Sequence, residues 1–309
     1  MLTLLTGRAN TGKSQAVLNR IAAHPGGRDQ ILLVPEHASH QAEVDLCAAC
    51  GDAASRFAEV LSFRRLSDRV LSITGGGAQV TLDAGGKLLT LEKALLEVLP
   101  ELTVYRRPSR KSAFLRQLLA LFDELRCYEV SPETLYGQSQ VIAGATHDKL
   151  RDLSLIYAAY ESRLLRPGLD ARDYMAKLCD SLERSQYALN KDICIDGFTY
   201  FTAQERRCLS ILLRQAHSLT VTLLCEPGSR EEMFEASLRT LERLRRLAES
   251  EGKPVQIENL TLRDPSPLGH LERHFFGETR PYEGEVPEIK LLQADTVFSE
   301  VEQTAAAIR

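Results

Sequence analysis

Residues 7–14 read Gly7-Arg8-Ala9-Asn10-Thr11-Gly12-Lys13-Ser14 and satisfy G-x-x-x-x-G-K-[ST] at every fixed position. Average glycine, lysine and hydroxyl-residue usage gives a chance match in a chain this long of about one in a hundred. The flanks narrow it further. Leu2 to Thr6 is a short, largely apolar run that includes Thr3 and Thr6, and SQAVLNRIAA beyond the loop has helical composition. Strand, glycine turn and helix open a βαβ unit. Glycines let the backbone wrap an anion at positive φ. The successive N–H groups and the helix N-terminus then point at phosphates. On this pattern Gly7 through Ser14 bind nucleotide, Lys13 reaches the β- and γ-phosphates, and the Ser14 hydroxyl holds Mg²⁺. The expected cofactors are therefore ATP and Mg²⁺.

The rest of the chain fits an α/β reading. Ile31 to Val34, closed by Pro35, suits a buried parallel strand, and HASHQAEVDLCAAC has helical spacing. A third strand is expected around Val60 and Leu61, followed by a helix over FRRLSDRVLSI. Alternating strands and helices predict an open parallel sheet covered on both faces. From Leu82 to about Ser185 every pattern is helical, including KLLTLEKALLEVL, SAFLRQLLALFDEL and DKLRDLSLIYAAYESRLL. Ser131-Pro132 marks one helix start there, and DARDYMAKLCDSL reads as another helix. Strands return at Asp192–Asp196 and Leu219–Cys225. Thr202/Glu205 and Ser229/Glu232 read as capping boxes. A last strand is expected over Glu288–Ala294, with Ser299 and Glu302 capping a final helix. That helix is still running at Arg309, which suggests a piece of a longer protein.

Asp196 ends the apolar run ICI and is the candidate for the strand-end acid that supports Mg²⁺; an Asx turn at Asp196-Gly197 is the plainer reading. ATPases of this kind often place a water-activating glutamate directly after that acid. Gly197 stands there, and Glu205 reads as a helix cap, so nucleotide binding is expected with little hydrolysis. Lys plus Arg is 38 against 42 for Asp plus Glu, so a nucleic-acid contact would have to come from a local patch. Tyr105 to Arg116 holds Arg106, Arg107, Arg110, Lys111 and Arg116 without an acid. It fits either a phosphate-attracting surface or a solvated loop leading into a helix. Arg239, Arg243, Arg245 and Arg246 alternate with Glu242 and Glu249, as on an exposed helix face. His37 and His40 follow a strand end, where a surface position is the commoner case. The sequence has no run of 18 apolar residues and no basic n-region at its start. Neither a membrane span nor a signal peptide is expected, and the cytoplasm is the expected location. Seven scattered cysteines do not form a disulfide framework, and Cys47-x-x-Cys50, without a partner pair, reads as helix cysteines rather than a metal site.

Five segments occur in a characteristic order: GRANTGKS, LLVPEHASHQAEVDL, VLSFRRLSDRVL, ICIDGFTYFTAQE and FSEVEQTAAAI. In this the chain resembles the N-terminal part of AddB proteins, which belong to the bacterial ATP-dependent helicase/deoxyribonuclease AddAB, and more broadly superfamily 1 helicases. The resemblance implies a RecA-like P-loop NTPase domain over 1–80 and 186–285. It implies an inserted all-helical subdomain over 81–185 and the start of a second domain over 286–309. It implies a heterodimer with an AddA-like helicase/nuclease partner, acting on DNA ends and single-stranded DNA in recombination and repair. Arg64 and Arg65 fall in a segment similar to a DNA-facing helicase motif, which adds them to Arg106 and Arg107 as DNA-contact candidates. The family's nuclease and iron–sulfur cluster belong to a C-terminal part that this sequence does not contain, and they are carried onto no residue here. In such motors a second RecA-like domain supplies arginines to the γ-phosphate, so residues 1–309 would carry half a site. A stand-alone P-loop enzyme, such as a small-molecule kinase, and a scaffold with a vestigial P-loop are the alternatives.

Overall fold

The computed structural model describes residues 1–24, 27–51, 53–75, 82–107, 111–164, 174–229, 231–261, 264–276, 279–287 and 289–308. The chain opens with β1 (Leu2–Gly7), α1 (Lys13–Ala22), β2 (Gln30–Leu33), α2 (Ser39–Cys50), β3 (Ala58–Leu61) and α3 (Phe63–Thr74). Helices follow: α4 (Ala84–Val98), α5 (Ser112–Cys127), α6 (Pro132–Val141), α7 (Ala145–Leu164) and α8 (Tyr174–Ser185). The chain then returns to the sheet with β4 (Asp192–Ile195), α9 (Ala203–Gln215), β5 (Ser218–Leu224), α10 (Glu235–Ser250) and β6 (Val255–Asn259). It ends with α11 (Pro267–His274) and α12 (Val297–Ile308). The strands form one six-stranded sheet in the order β3-β2-β4-β5-β1-β6, and every pair in it is parallel. This is the α/β architecture expected from the sequence, and it is consistent with a RecA-like fold.

Period-2 alternation sorts the strand residues onto two faces. Leu2, Leu4, Leu33, Ile195 and Val221 point to one side and pack with Leu66 of α3, Leu178 and Leu182 of α8, Leu209 and Leu212 of α9 and Leu244 of α10. Leu5, Leu32, Val34, Val60 and Cys194 point to the other, under Val17 and Ile21 of α1 and Leu46 of α2. Burial on both faces explains why these strands carry leucine, isoleucine and valine on both sides of the alternation.

Between α4 and α7 the helices close on a separate core of Leu91, Leu95, Leu115, Leu118, Ile156 and Tyr160 around fully buried Phe122. The Phe122 ring lies 4.7 Å from Tyr157 and 6.0 Å from Tyr160. Helix α8 packs instead on the sheet core, through Met175, Leu178, Cys179 and Leu182.

Three local expectations are corrected. Residues 289–294 form no strand; Leu291 there is 97% exposed and nothing among the described residues pairs with this stretch. The sixth strand is β6, which lies on the free side of β1. The cap of α12 is Thr296, whose hydroxyl accepts from the Ser299 amide at 3.2 Å, rather than Ser299 itself. Ser229 accepts from the Glu231 amide at 3.2 Å, in a turn, and α10 begins only at Glu235 after a short 3₁₀ segment. The start of the helix expected over DARDYMAKLCDSL, residues 170–173, lies outside the described residues. Thr202/Glu205 does form the full reciprocal box, and Ser131 caps α6 by accepting from the Thr134 amide.

Candidate functional site

The GRANTGKS segment sits at the C-terminal end of β1, where ligands of open α/β sheets bind. Each glycine has a local reason. A Cβ on Gly7 would lie 2.4 Å from Thr11 Oγ1 and 2.8 Å from the Leu260 carbonyl oxygen. Gly12 precedes the first turn of α1 with φ +82°, a left-handed conformation that costs a side-chain-bearing residue. Asn10, at φ +57°, is one of the few non-glycine types that tolerates that region. The Thr11 hydroxyl donates to the Arg8 carbonyl at 2.9 Å and ties the loop to itself.

Lys13 folds back over the loop. Its ammonium donates to the carbonyls of Gly7 at 2.9 Å and Arg8 at 2.6 Å, and to Thr11 Oγ1 at 3.4 Å. Half-burial lowers the Lys13 pKa, while Asp196, Cys225 and Glu272 favour its charged form. Among the described residues, none of the amides of residues 9–14 donates to a protein acceptor. A ring of free N–H groups at a helix start beside an ammonium is chemically suited to an anion. Ser14 is exposed in the first turn of α1.

Asp196 follows β4 directly, its amide donating to the Leu33 carbonyl at 3.0 Å. Only β5 separates β4 from β1, so the acid and the loop share one end of the sheet. The Thr222 hydroxyl of β5 donates to Asp196 Oδ1. One carboxylate oxygen is thereby oriented from within the sheet. Gly197 has φ +82°, and a Cβ there would meet Pro35 Cδ at 3.3 Å. Glutamate at 197 would therefore be strained, which gives a physical reason for its absence. Glu205 accepts from the Thr202 amide at 2.8 Å and is occupied as a helix cap.

Sequence reasoning missed how the Arg8 side chain is used. Its guanidinium bonds three carboxylates: Glu226 at 3.0 Å, Glu231 at 2.8 Å and Glu272 at 3.1 Å. It also lies 4.9 Å from the centre of the buried Phe234 ring. Hydrogen bonds, first to Glu231 and then to Glu226 and Glu272, push its pKa further up against the effect of burial, and Arg8 in turn lowers that of Glu231. These partners lie 218 to 264 residues away in sequence, so no local pattern could reveal them. Arg8 pins the β5–α10 connection and α11 to the loop. Beside it, a cleft of about 510 Å³ opens from residues 8–11 toward Asn259, Leu268 and Glu272.

The candidate DNA contacts lie apart from this loop in the chain. Arg64 and Arg65 are exposed at the start of α3, and Arg65 pairs with Glu43 at 2.6 Å. Arg106 and Arg107 are exposed in the turn after α4; Arg110 lies outside the described residues. Arg239, Arg245 and Arg246 pair with Glu235, Glu242 and Glu249 along α10, as the spacing predicts. His37 and His40 are exposed. Cys47 is exposed and Cys50 half-buried on α2, and no cluster of three metal-ligating side chains occurs among the described residues. No described helix is long and apolar enough to cross a membrane.

Residues 4–272 match the family described as "ADDB, N-terminal". The chain belongs to the AddB N-terminal family. Proteins named as the B subunit of an ATP-dependent helicase/deoxyribonuclease align with it over 99% of its length. The one from Desulforudis audaxviator is 34% identical, that from Moorella thermoacetica 34% and that from Oceanobacillus iheyensis 30%. The AddB-family chain spans only 28–29% of the length of those relatives, corresponding to their N-terminal part.

Proposed function

We propose that this AddB-family chain binds ATP with Mg²⁺ on residues 7–14, as the helicase-like N-terminal region of the AddB component of an ATP-dependent helicase/deoxyribonuclease. The observation that carries this reading is the set of unbonded amides over residues 9–14 beside the Lys13 ammonium. Lys13 would exchange the loop's own carbonyls for phosphate oxygens. Ser14 and Asp196 are the residues that would hold Mg²⁺. Their chemistry fits a hard cation, which takes oxygen ligands from one or two side chains plus phosphates. Bound there, Mg²⁺ would neutralise phosphate charge. Arg8 contributes its backbone to the loop, because its side chain is already paired with Glu226, Glu231 and Glu272. On this reading residues 1–80 and 186–285 form a RecA-like P-loop domain, 81–185 an inserted helical subdomain, and 286–309 the start of a second domain.

Binding without efficient turnover is the expected behaviour. Gly197 stands where a water-activating glutamate would be needed, and its backbone resists one. Incubating the chain with ATP, Mg²⁺ and single-stranded DNA should release phosphate no faster than Lys13→Ala does. Robust turnover that disappears in Lys13→Ala would sink this part of the reading. Isothermal titration with ATP and Mg²⁺ tests the binding itself and separates it from a scaffold with a vestigial loop.

The names of the relatives support a role within a complex that acts on DNA, and an AddA-like helicase/nuclease is the proposed partner. DNA ends and single-stranded DNA are the proposed substrates of that cytoplasmic complex, which serves recombination and repair. Arg64 and Arg65 are the proposed phosphate contacts of this region, with Arg106 and Arg107 as a weaker second pair. Replacing Arg64 and Arg65 with alanine should lower the affinity of the complex for single-stranded DNA and flatten its salt dependence by about one to two counterions. An unchanged slope across a salt series would count against them.

A further inference from the structure

Helices α9 and α10 cover one face of the sheet, and the groove between them on the solvent side is lined with arginine. Leu209 and Leu212 of α9, and Leu244 and Ala248 of α10, turn inward to the core. Outward, Arg206, Ser210 and Arg214 recur at i, i+4 and i+8 along α9 with Arg207 beside them, and Arg243 and Arg246 share a stripe on α10. The two stripes wall an open groove of about 620 Å³. Among the described residues its lining holds five arginines and one carboxylate, Glu129. The donors in it are under-used. Arg207 stands 3.6 Å from both Asp180 and Glu183, and Arg214 stands 4.0 Å from Glu183 and 3.8 Å from Glu251. All four separations are longer than a hydrogen bond, and Glu183 is shared between the two arginines. Glu251 is also taken by the Ser210 hydroxyl. Arg206 donates to the Phe201 carbonyl at 2.7 Å, and neither it nor Arg243 has a carboxylate partner among the described residues. Arg246 makes a close ion pair, to Glu242 at 2.8 Å. Elsewhere Arg8 and Arg65 hold their carboxylates at 2.6–3.1 Å. A guanidinium carries several N–H donors in a fixed fork, so the groove presents a surplus of charged donors.

We infer that this groove seats the sugar–phosphate backbone of duplex DNA, held by charge and without regard to sequence. Arginine forks match phosphate oxygens two at a time. The α9 stripe from Arg206 to Arg214 runs about 12 Å at 1.5 Å per residue, which covers roughly three nucleotides of one strand at 3.4 Å each. The lining selects this occupant over others. Its apolar side chains among the described residues are Ala203 and Leu247, too few for the apolar centre of a stable protein interface. No aromatic ring lines it among the described residues, so single-stranded bases have nothing to stack on. A duplex keeps its bases stacked internally and offers phosphates alone. The chain's formal charge of -4 gives no general attraction for a polyanion, so such a contact has to be local in this way. Helix α1, which follows the phosphate loop, packs on the opposite face of the sheet, and the inference is independent of nucleotide binding there.

The test is fluorescence anisotropy of a labelled duplex, and of one of its strands alone, titrated with the full chain across a salt series without nucleotide. Arg207→Ala/Arg243→Ala removes one exposed cation from each wall. It should weaken duplex binding by at least ~10-fold at low salt and lower the slope of log K against log salt by about two. Both side chains are exposed, so the thermal melt should match that of the parent and the loss reads as a lost contact. Arg69→Ala/Arg245→Ala removes the same charge from outside the groove and should leave duplex affinity and slope unchanged. An equal loss in that second variant would make the effect one of net charge and overturn the inference. So would an unchanged slope in the groove variant, an absence of duplex binding by the parent chain, or a single-strand loss as large as the duplex loss. A polyglutamate peptide is the third ligand. If the groove variant loses that peptide and keeps the duplex, the groove docks an acidic protein segment and the inference fails.

Discussion

Lys13→Ala should abolish measurable ATP binding, lowering affinity by at least ~30-fold. Hydrogen bonds to a charged group are worth about 1.5–3 kcal/mol each, and each 1.4 kcal/mol is a factor of ten. In the structure the ammonium has three acceptors, all within the loop it would hand over to phosphate. Removing it leaves the amides of residues 9–14 without a free side-chain cation from the loop itself, because the Arg8 guanidinium is already neutralised by Glu226, Glu231 and Glu272. Those three carboxylates make the loss more severe, since their net charge opposes an incoming polyphosphate. The fold should survive, because Lys13 is half-exposed and bonds only to its own loop. A circular-dichroism melt close to that of the parent, together with a flat titration, is the expected pair of results. Tight ATP binding by Lys13→Ala would show that the loop is not the nucleotide site. The site's pH response follows from the same residue. Burial lowers the pKa of Lys13, so its positive charge is lost at lower pH than that of an exposed lysine. A bound polyphosphate favours the charged amine. ATP affinity should therefore fall as pH rises into the alkaline range, with proton uptake on binding there, measured by titration in buffers of different ionisation enthalpy.

What was legible in the sequence is what is fixed locally. The loop from Gly7 to Ser14 can be read because every constraint on it acts within a few residues: a positive φ at Gly12, a helix start at Lys13, a strand before it. The strands β1, β2, β4 and β5 are legible because both faces are buried and leucine, isoleucine and valine recur along them, with buried threonines between in β1 and β5. Edge strand β6 was not. Its sequence, VQIEN, mixes three polar residues with two apolar ones, because only part of it packs on the core, and its pairing with β1 is a contact across more than 250 residues. The run Ile289–Ala294 has the opposite property, apolar enough for a strand yet without a partner among the described residues. Propensity predicts a strand only where another strand can satisfy its backbone. The same separation hid the Arg8 cluster. A motif position marked x carries no sequence signal, and its three carboxylates come from two distant segments. The capping boxes divide along the same line. Thr202/Glu205 forms because α9 begins there, whereas Ser229/Glu232 has matching letters and a turn in place of a helix start.

Asp152 illustrates a buried charge that the helical pattern of its segment conceals, and its removal should strongly destabilise the helical block. It lies on α7 with no solvent exposure. Oδ2 accepts from the amides of Val104 at 2.7 Å and Tyr105 at 3.0 Å, and from that of Thr103 at 3.0 Å, while Oδ1 also faces the Thr103 amide at 3.1 Å. Three consecutive N–H groups around one carboxylate form an anion-binding nest within the protein itself. Arg151 stands 3.7 Å away as the nearby cation. The arrangement ties the turn that follows α4 to α7 and sets where Arg106 and Arg107 are presented. Asp152→Ala leaves those amides without an acceptor and opens a gap beside Leu102, itself buried. The expected cost is about 3 kcal/mol or more, since bonds to a charged acceptor are each worth about 1.5–3 kcal/mol and an unpaired buried donor adds to the loss. Urea denaturation should show a lowered midpoint, and limited proteolysis should cut sooner near residues 102–107. Asp152→Asn separates charge from shape. Its carbonyl oxygen can still accept one or two of the amides, but its NH₂ group turns donors toward donors, so an intermediate loss is expected. Equal stability of all three proteins would mean that the turn is held by the Phe122 core rather than by the carboxylate. A loss confined to the alanine variant would assign the effect to the gap and not to the charge.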